Sequence, residues 1–536
     1  MNNDNDNDNV NDNDNDNVND NDNVNDNDND NVNDNDNVND NDNDNVNDND
    51  NDNVNDNVND NDNVNDNDND NVNDNDNVND NVNDNDNDKR PKQPNHQTTK
   101  QQNNQTTKQL NNMNNMRFRL IVMNFLQFAA WGAYLTSMGA YLAGAGLATD
   151  IGNYYAIQGI VSIFMPALMG IVADRWVQAQ RLLSFCHLMA AVFMGLAAWT
   201  GLTASTSGTE VNGTLLFTFY SISVAFYMPT LALSNSVAYT ALDKAGLDTV
   251  KAFPPIRVFG TVGFISAMLL VDFTGYQNTA MQFAVSGVIS LLLALYALTM
   301  PSCPVGGNSA GKSMAEAFGL KAFTLFKDKK MAYFFIFSFM LGVSLQITNG
   351  YANPYIQSFG ENPAYQGLFF VEHSNLLVSL SQMSETLCIL LIPFCLKQFG
   401  IKKVMLIAML AWVGRFAFFG MGNPGGGVWL FILSCIVYGV AFDFFNVSGS
   451  LFVDKETDIS MRSSAQGLFM LMTNGLGATI GSLGAKAVIN NYVYAEGLDV
   501  AQQAQGWQTS WYIFAAYALV VAIAFTILFK YKHVKE

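Results

Sequence analysis

Gly170-Ile-Val-Ala-Asp174-Arg175, continued by Trp-Val-Gln-Ala-Gln-Arg181, separates two apolar runs at 152 to 173 and 182 to 203. Each run is about the 20 residues that an α-helix needs to cross a hydrocarbon layer. The turn between them is short and basic, so it marks one membrane face, and its Arg175 and Arg181 assign that face to the cytoplasm. Outward from this turn the same alternation recurs. Twelve apolar runs follow one another from Arg117, at 118–145, 152–173, 182–203, 213–241, 256–274, 279–300, 331–355, 371–396, 403–421, 427–451, 462–489 and 508–529. Gly132, Gly139, Gly260, Gly263, Gly475, Gly477, Gly481 and Gly484 lie inside them, as expected where helices approach closely without a hydrophobic force between them.

Basic residues test the count. Arg117, Arg119, Arg175, Arg181, Lys244, Lys251, Lys312, Lys321, Lys327, Lys329, Lys330, Lys397, Lys402, Lys403, Lys455, Arg462, Lys530, Lys532 and Lys535 all fall on one side. The opposite loops, near Asp150, Glu210, Asp272, Glu361, Gly425 and Glu496, hold none. Both termini and the central loop are therefore expected in the cytoplasm, which an odd number of spans would contradict. The expected architecture is an all-α membrane protein: residues 116–300 form one six-helix half, 301–330 a cytoplasmic loop, and 331–536 a second six-helix half. That division is typical of secondary transporters.

The formal charge of -22 does not belong to this body. Residues 1–88 carry 31 Asp and no base, and the linker to Asn115 adds five bases, so the first 115 residues hold 5 − 31 = −26. The remaining residues hold 22 bases and 18 acids, a net of +4. The Asn/Asp/Val repeat has no aromatic residue and no apolar periodicity, so residues 1–115 are expected to be a disordered low-complexity tail and linker. It lacks the turn glycine and bidentate Glu of a calcium loop. A simple-sequence expansion or an upstream extension, with the working protein starting near Met116, is the expected reading. No basic n-region or apolar h-region marks a secretory signal in it.

An enzyme is not expected. Cys186, Cys303, Cys388, Cys395 and Cys435 are scattered without metal-ligand spacing, His187 and His373 stand alone, and no nucleophile, metal or phosphate-loop pattern occurs. No resident cofactor, nucleic acid or obligate protein partner is implied, and the bilayer is the expected environment. Chemistry is carried instead by polar groups inside the spans, where an ionisable side chain is costly unless paired or facing water. Glu385, in Ser381-Gln-Met-Ser-Glu-Thr, has Gln382 on the same face. It suits either a proton-coupling group or a permanent ion pair between helices. Asp443 lies in Tyr438-Gly-Val-Ala-Phe-Asp-Phe-Phe-Asn446, where Tyr438 and Phe442 share a face as packing or as a stacking wall for a flat ring. Arg257 begins a face continued by Thr261 and Phe264, or else snorkels to the cytoplasmic surface. Gln346 and Asn349, at i and i+3, either bond between helices or bind ligand hydroxyls. Arg415 has no polar companion on its span and is expected to pair with a carboxylate. The set favours a polar, uncharged, ring-bearing solute.

At these positions the chain becomes similar to a known family. The turn Gly170-Ile-Val-Ala-Asp174-Arg175 looks like the gate signature of the major facilitator superfamily, in which the Asp and Arg brace the cytoplasmic gate; the matching turn of the second half, Pro393 to Lys403, lacks the Asp. Phe125-Leu-Gln-Phe with Trp131-Gly, Phe164-Met-Pro-Ala-Leu, Phe226-Tyr-Met-Pro-Thr, Phe253-Pro-Pro-Ile-Arg, Leu345-Gln-Ile-Thr-Asn, the Glu385 and Asp443 segments, and Ser464-Ala-Gln-Gly resemble the bacterial nucleoside:proton symporters, or nucleoside permeases, of that superfamily. The resemblance runs from about Met116 to His533. It implies the twelve-helix major facilitator fold in the inner (cytoplasmic) membrane and symport of purine or pyrimidine nucleosides, of the uridine, adenosine and cytidine class, with protons as the coupling ion. Carried over by position, Arg257, Thr261, Phe264, Gln346, Asn349, Gln382, Glu385, Tyr438 and Phe442 would contact substrate, and Glu385 with Asp443 would couple protons. The alternatives are a carrier of the same superfamily for a sugar or drug, and a membrane sensor that binds nucleoside without moving it. The 115-residue extension has no counterpart in the family pattern.

Overall fold

The computed structural model describes residues 96–305, 320–458 and 461–531. The Asn/Asp repeat, most of the central loop (with Lys312), and Lys532 and Lys535 lie outside the described residues. Among the described residues all regular structure is helical. The twelve runs become α1 (His96–Gly132, resuming over Met138–Gly144), α2 (Ile151–Arg175), α3 (Ala179–Ser207), α4 (Gly213–Tyr227 and Thr230–Lys244), α5 (Thr249–Phe273) and α6 (Met281–Ala297) in the first half. In the second half they become α7 (Lys329–Ser358), α8 (Ser374–Ile389 and Ile392–Phe399), α9 (Ile401–Met421), α10 (Val428–Glu456), α11 (Arg462–Met470, a π-helical turn Leu471–Gly477, then Ala478–Tyr492) and α12 (Val500–Leu528).

Local chemistry sets several boundaries. α1 begins twenty residues ahead of Met116, because nothing between His96 and Met116 interrupts a helix: Pro94 is the last proline before it and no glycine intervenes. α8 bends by 57° between its two pieces. Pro393, at the start of the second piece, has no N–H to continue the ladder and its ring crowds the preceding turn. α12 starts on a capping box, in which the Asp499 carboxylate accepts from the Gln502 backbone N–H at 2.8 Å and the Gln502 side chain accepts from the Asp499 N–H at 2.9 Å. α3 ends on Gly208 at φ 65°, a left-handed cap that a side chain would disfavour.

The two halves repeat one packing scheme. α1 packs on α5 and α3 on α6 in the first half, as α7 packs on α11 and α9 on α12 in the second. Glycine makes the first of these contacts possible in both halves. A Cβ on Gly132 would stand 2.3 Å from the Phe264 carbonyl oxygen, and one on Gly263 2.2 Å from that of Phe125; in the second half Gly342 meets Thr473 O at 2.3 Å and Gly481 meets Val343 O at 2.1 Å. Gly484 departs from the expected use of glycine, since no atom lies within 4 Å of its would-be Cβ. The halves meet through α2 on α11 and α5 on α8. Leu292, Leu295, Leu390, Val520, Ile523 and Ile527 are exposed on the outside, where lipid tails would cover them.

Candidate functional site: a cavity between the halves

A cavity of about 890 Å³ lies between the two halves and is lined from both. α5 presents Arg257, Thr261 and Phe264; α7 presents Gln346 and Asn349; α8 presents Gln382 and Glu385; α10 presents Tyr438 and Phe442. All nine residues carried over as substrate contacts therefore share one space. Helical periodicity explains the convergence within each helix, because i, i+4 and i+7 point the same way.

The polar groups are arranged with spare capacity. The Asn349 amide donates to Gln346 Oε1 at 2.8 Å, which orients both side chains and leaves the Gln346 amide N–H groups and the Asn349 oxygen for a ligand. Arg257 stacks over Phe128, its guanidinium carbon 3.8 Å from the ring centroid, and its charge faces Glu385 from the other half. It does not merely snorkel to the surface. Tyr438 and Phe442 stack with an interplanar angle of 4° and centroids 5.7 Å apart, forming one aromatic wall.

Asp443 takes a different place. It does not line the cavity but sits behind it, 5% exposed, close enough to Glu385 for the two carboxyl groups to interact. Arg415 corrects the expectation of a carboxylate partner: it is bonded to Ser434 O and Ser381 Oγ instead. Phe128, Trp131 and Gln158 are among the lining residues not singled out as contacts from sequence. Phe128 supports Arg257, and Trp131 donates to Gln158 Oε1 at 3.3 Å, whose amide in turn donates to Tyr220 at 2.8 Å. A glutamine inside the apolar run 152–173 was the available signal for the second pair.

The cavity reaches the basic face, where Gly170, Asp174, Arg175, Phe323 and Ser464 line its mouth. The opposite end is closed by bonds between the halves. Thr136 donates to Asn375 Oδ1 (2.6 Å), Asn375 to Met268 O (3.0 Å), Gln277 to Glu372 O (2.7 Å) and Gln357 to Asn278 Oδ1 (2.8 Å). Two ionisable pairs join them: His373 Nδ1 with Asp272 at 2.8 Å, and Lys486 with Asp150 at 3.2 Å. Lys486 is a further charge within a span, toward the closed end, beyond the four picked out from sequence, and its partner is 336 residues away.

Two six-helix halves around one polar cavity, closed at one end and open at the other, define an alternating-access carrier. A family model described as nucleoside H+ symporter matches residues 113–534. The chain is 44% identical over 425 residues to nucleoside permease NupG of Escherichia coli (78% of this chain, 97% of that protein), and 47% identical over 421 residues to the xanthosine permease of the same organism, with the same coverage. The crystal structure of nucleoside transporter NupG superposes with a TM-score of 0.70 at 43% identity, covering 78% of this chain and 100% of that one. The chain belongs to the nucleoside:H+ symporter family, and is a membrane transporter rather than an enzyme.

Proposed function

We propose that the chain is a proton-coupled nucleoside uptake carrier of the cytoplasmic membrane, and that the basic face bearing the Gly170–Arg175 turn is cytoplasmic. The observation that supports it most directly is the meeting, in one cavity, of a carboxylate (Glu385) facing a cation from the opposite half (Arg257), a pre-oriented amide pair and an aromatic wall. A nucleoside presents a flat base, hydroxyl groups and no charge, which matches stacking surface and amides better than it matches a site built for a phosphate ester. Arg257, Thr261 and Phe264 act as first-half contacts. Gln346, Asn349, Gln382 and Glu385 bond ribose hydroxyls or base edges, and Tyr438 with Phe442 flanks the ring. Glu385 and Asp443 carry the coupling proton. On this orientation the structure is inward-open, with Asp174 and Arg175 at the open mouth and the outer end sealed.

The test is uptake of labelled uridine into proteoliposomes under an inward proton gradient, competed by unlabelled nucleosides, free bases and sugars. Block by nucleosides alone supports the reading; block by sugars points to a carrier for another solute, and binding without accumulation points to a sensor.

The outer seal leads to a prediction of its own. Removing Asp272 and Asp150 charges together (Asp272→Asn with Asp150→Asn) deletes two contacts that join the halves at the closed outer end, the buried Asp272 contact contributing about 1.5–3 kcal/mol and the half-exposed Lys486–Asp150 pair about 0.2–1 kcal/mol. The population should shift outward-open by roughly tenfold or more. A cysteine introduced at Leu135, which lines the cavity, should then be modified at least that much faster by an impermeant reagent added outside. An unchanged modification rate would show that these pairs do not hold the seal.

A further inference from the structure

Arg415 is a buried charge that the transport cycle above leaves without a role. It is 2% exposed at the middle of α9, and does not line the cavity. Among the described residues no carboxylate is in ion-pair contact with it. Neutral groups hold it instead. Its Nη1 donates to the Ser434 carbonyl at 2.9 Å and to Ser381 Oγ at 3.3 Å, and Ser434 Oγ donates back to the Arg415 carbonyl at 2.8 Å. The guanidinium carbon lies 4.3 Å over the Tyr438 ring and 5.5 Å from that of Phe419. As a structural filler this is a poor choice, because an apolar chain would occupy the same volume without removing a cation from water.

What the guanidinium does touch is the wall of the cavity. Tyr438 has Phe442 stacked on it, the edge-on ring of Trp412 at 5.9 Å and 89°, and Arg415 over its face. The same guanidinium reaches Ser381, one helical turn before Glu385 on α8. One planar cation thus ties the stacking ring of α10 to the helix that carries Gln382 and Glu385. A planar fork can make these bonds and stack at once; a lysine cannot.

We propose that Arg415 is a positioning residue for substrate recognition, fixing the orientation in which the Tyr438–Phe442 wall flanks a nucleobase. The inference rests on the reading of the cavity as a nucleoside site. A ring left free to turn must be ordered on binding, so affinity rather than turnover is what Arg415 governs.

The test uses the purified full-length protein, with uridine binding measured directly and uptake measured in proteoliposomes. Arg415→Met should raise Kd and KM roughly tenfold while the maximal rate stays within about twofold. Arg415→Lys should recover part of the affinity. In a Tyr438→Leu background, Arg415→Met should add less than about twofold, since the ring it positions is gone. Unchanged uridine affinity in Arg415→Met overturns the proposal, as does an equal loss with or without the Tyr438 ring, or a fall in maximal rate at constant KM. Failure of both Arg415 variants to fold also overturns it, by making the residue structural. If the unaltered protein binds no nucleoside, the nucleoside reading falls and this inference with it; wild-type binding with unchanged variant affinity removes the positioning role alone.

Discussion

Glu385→Gln is expected to abolish proton-driven accumulation of nucleoside while sparing exchange of labelled for unlabelled nucleoside across the same membrane. Glutamine keeps the shape and hydrogen-bonding capacity of the side chain, so ribose hydroxyls or base edges still find a partner, but it has no proton to release. A gradient of one pH unit is worth about 1.4 kcal/mol for each proton moved with the solute, which is tenfold accumulation for a one-to-one carrier. With Gln at position 385 that factor should fall to about one, because a proton that binds neither state preferentially cannot bias the exchange between them. The placement of Glu385 makes it the stronger candidate of the two carboxylates. It lines the cavity and faces Arg257 across the interface between halves, whereas Asp443 lies behind the wall. Because Glu385 and Arg257 sit on opposite halves, a rocking of the halves that changes their separation is expected to change how strongly the proton is held. Asp443→Asn is the second arm, and should weaken accumulation through the loss of a titratable carboxyl group that interacts with Glu385. Full pH-driven accumulation in both variants would remove the coupling role from both residues.

The second large effect is expected from one carbon atom. Gly132→Ala places a Cβ 2.3 Å from the Phe264 carbonyl oxygen and 2.8 Å from its Cα, and Gly263→Ala places one 2.2 Å from Phe125 O. The contact atoms are backbone on both sides, so no rotamer change relieves them and α1 and α5 must move apart. Overpacking of this kind costs about 1–3 kcal/mol in a well-packed interior. The functional loss should exceed the loss in stability, because α5 carries Arg257, Thr261 and Phe264 into the cavity as a rigid unit. Each variant should lower the melting temperature in detergent by several degrees and weaken uridine binding by tenfold or more. Gly144→Ala, where no atom lies within 4 Å of the added carbon, is the matched control and should do neither. If Gly132→Ala and Gly263→Ala bind uridine as tightly as the unaltered protein, the α1–α5 contact does not set the position of the site.

Much of the molecule was legible residue by residue, for reasons that differ between its parts. Span positions follow from a one-dimensional quantity, the length of an apolar run, and the clustering of Lys and Arg at alternate turns follows from their location in the chain. The departures came where a helix bends or starts. The bend in α8 follows from Pro393, which was visible, but its size of 57° depends on what the two pieces pack against. The start of α1 at His96 follows from the absence of a breaker in a stretch whose polarity had suggested a linker.

The candidate site divides in the same way. The apolar spans and the faces that pair Gln346 with Asn349 or Tyr438 with Phe442 were determined by sequence alone, because helical geometry relates residues three and four apart. The family segments then supplied a roster of contacts. Only the tertiary structure decided that the nine meet in one cavity, that Asp443 and Arg415 stand behind its wall, and that Lys486 reaches Asp150 to seal the far end. Those relations join separate helices, from tens of residues apart for Arg415 and Ser381 to hundreds for Lys486 and Asp150. They depend on which backbones can touch, and here that is set by glycines whose neighbours, such as the Phe264 carbonyl against Gly132, no periodicity in the chain specifies.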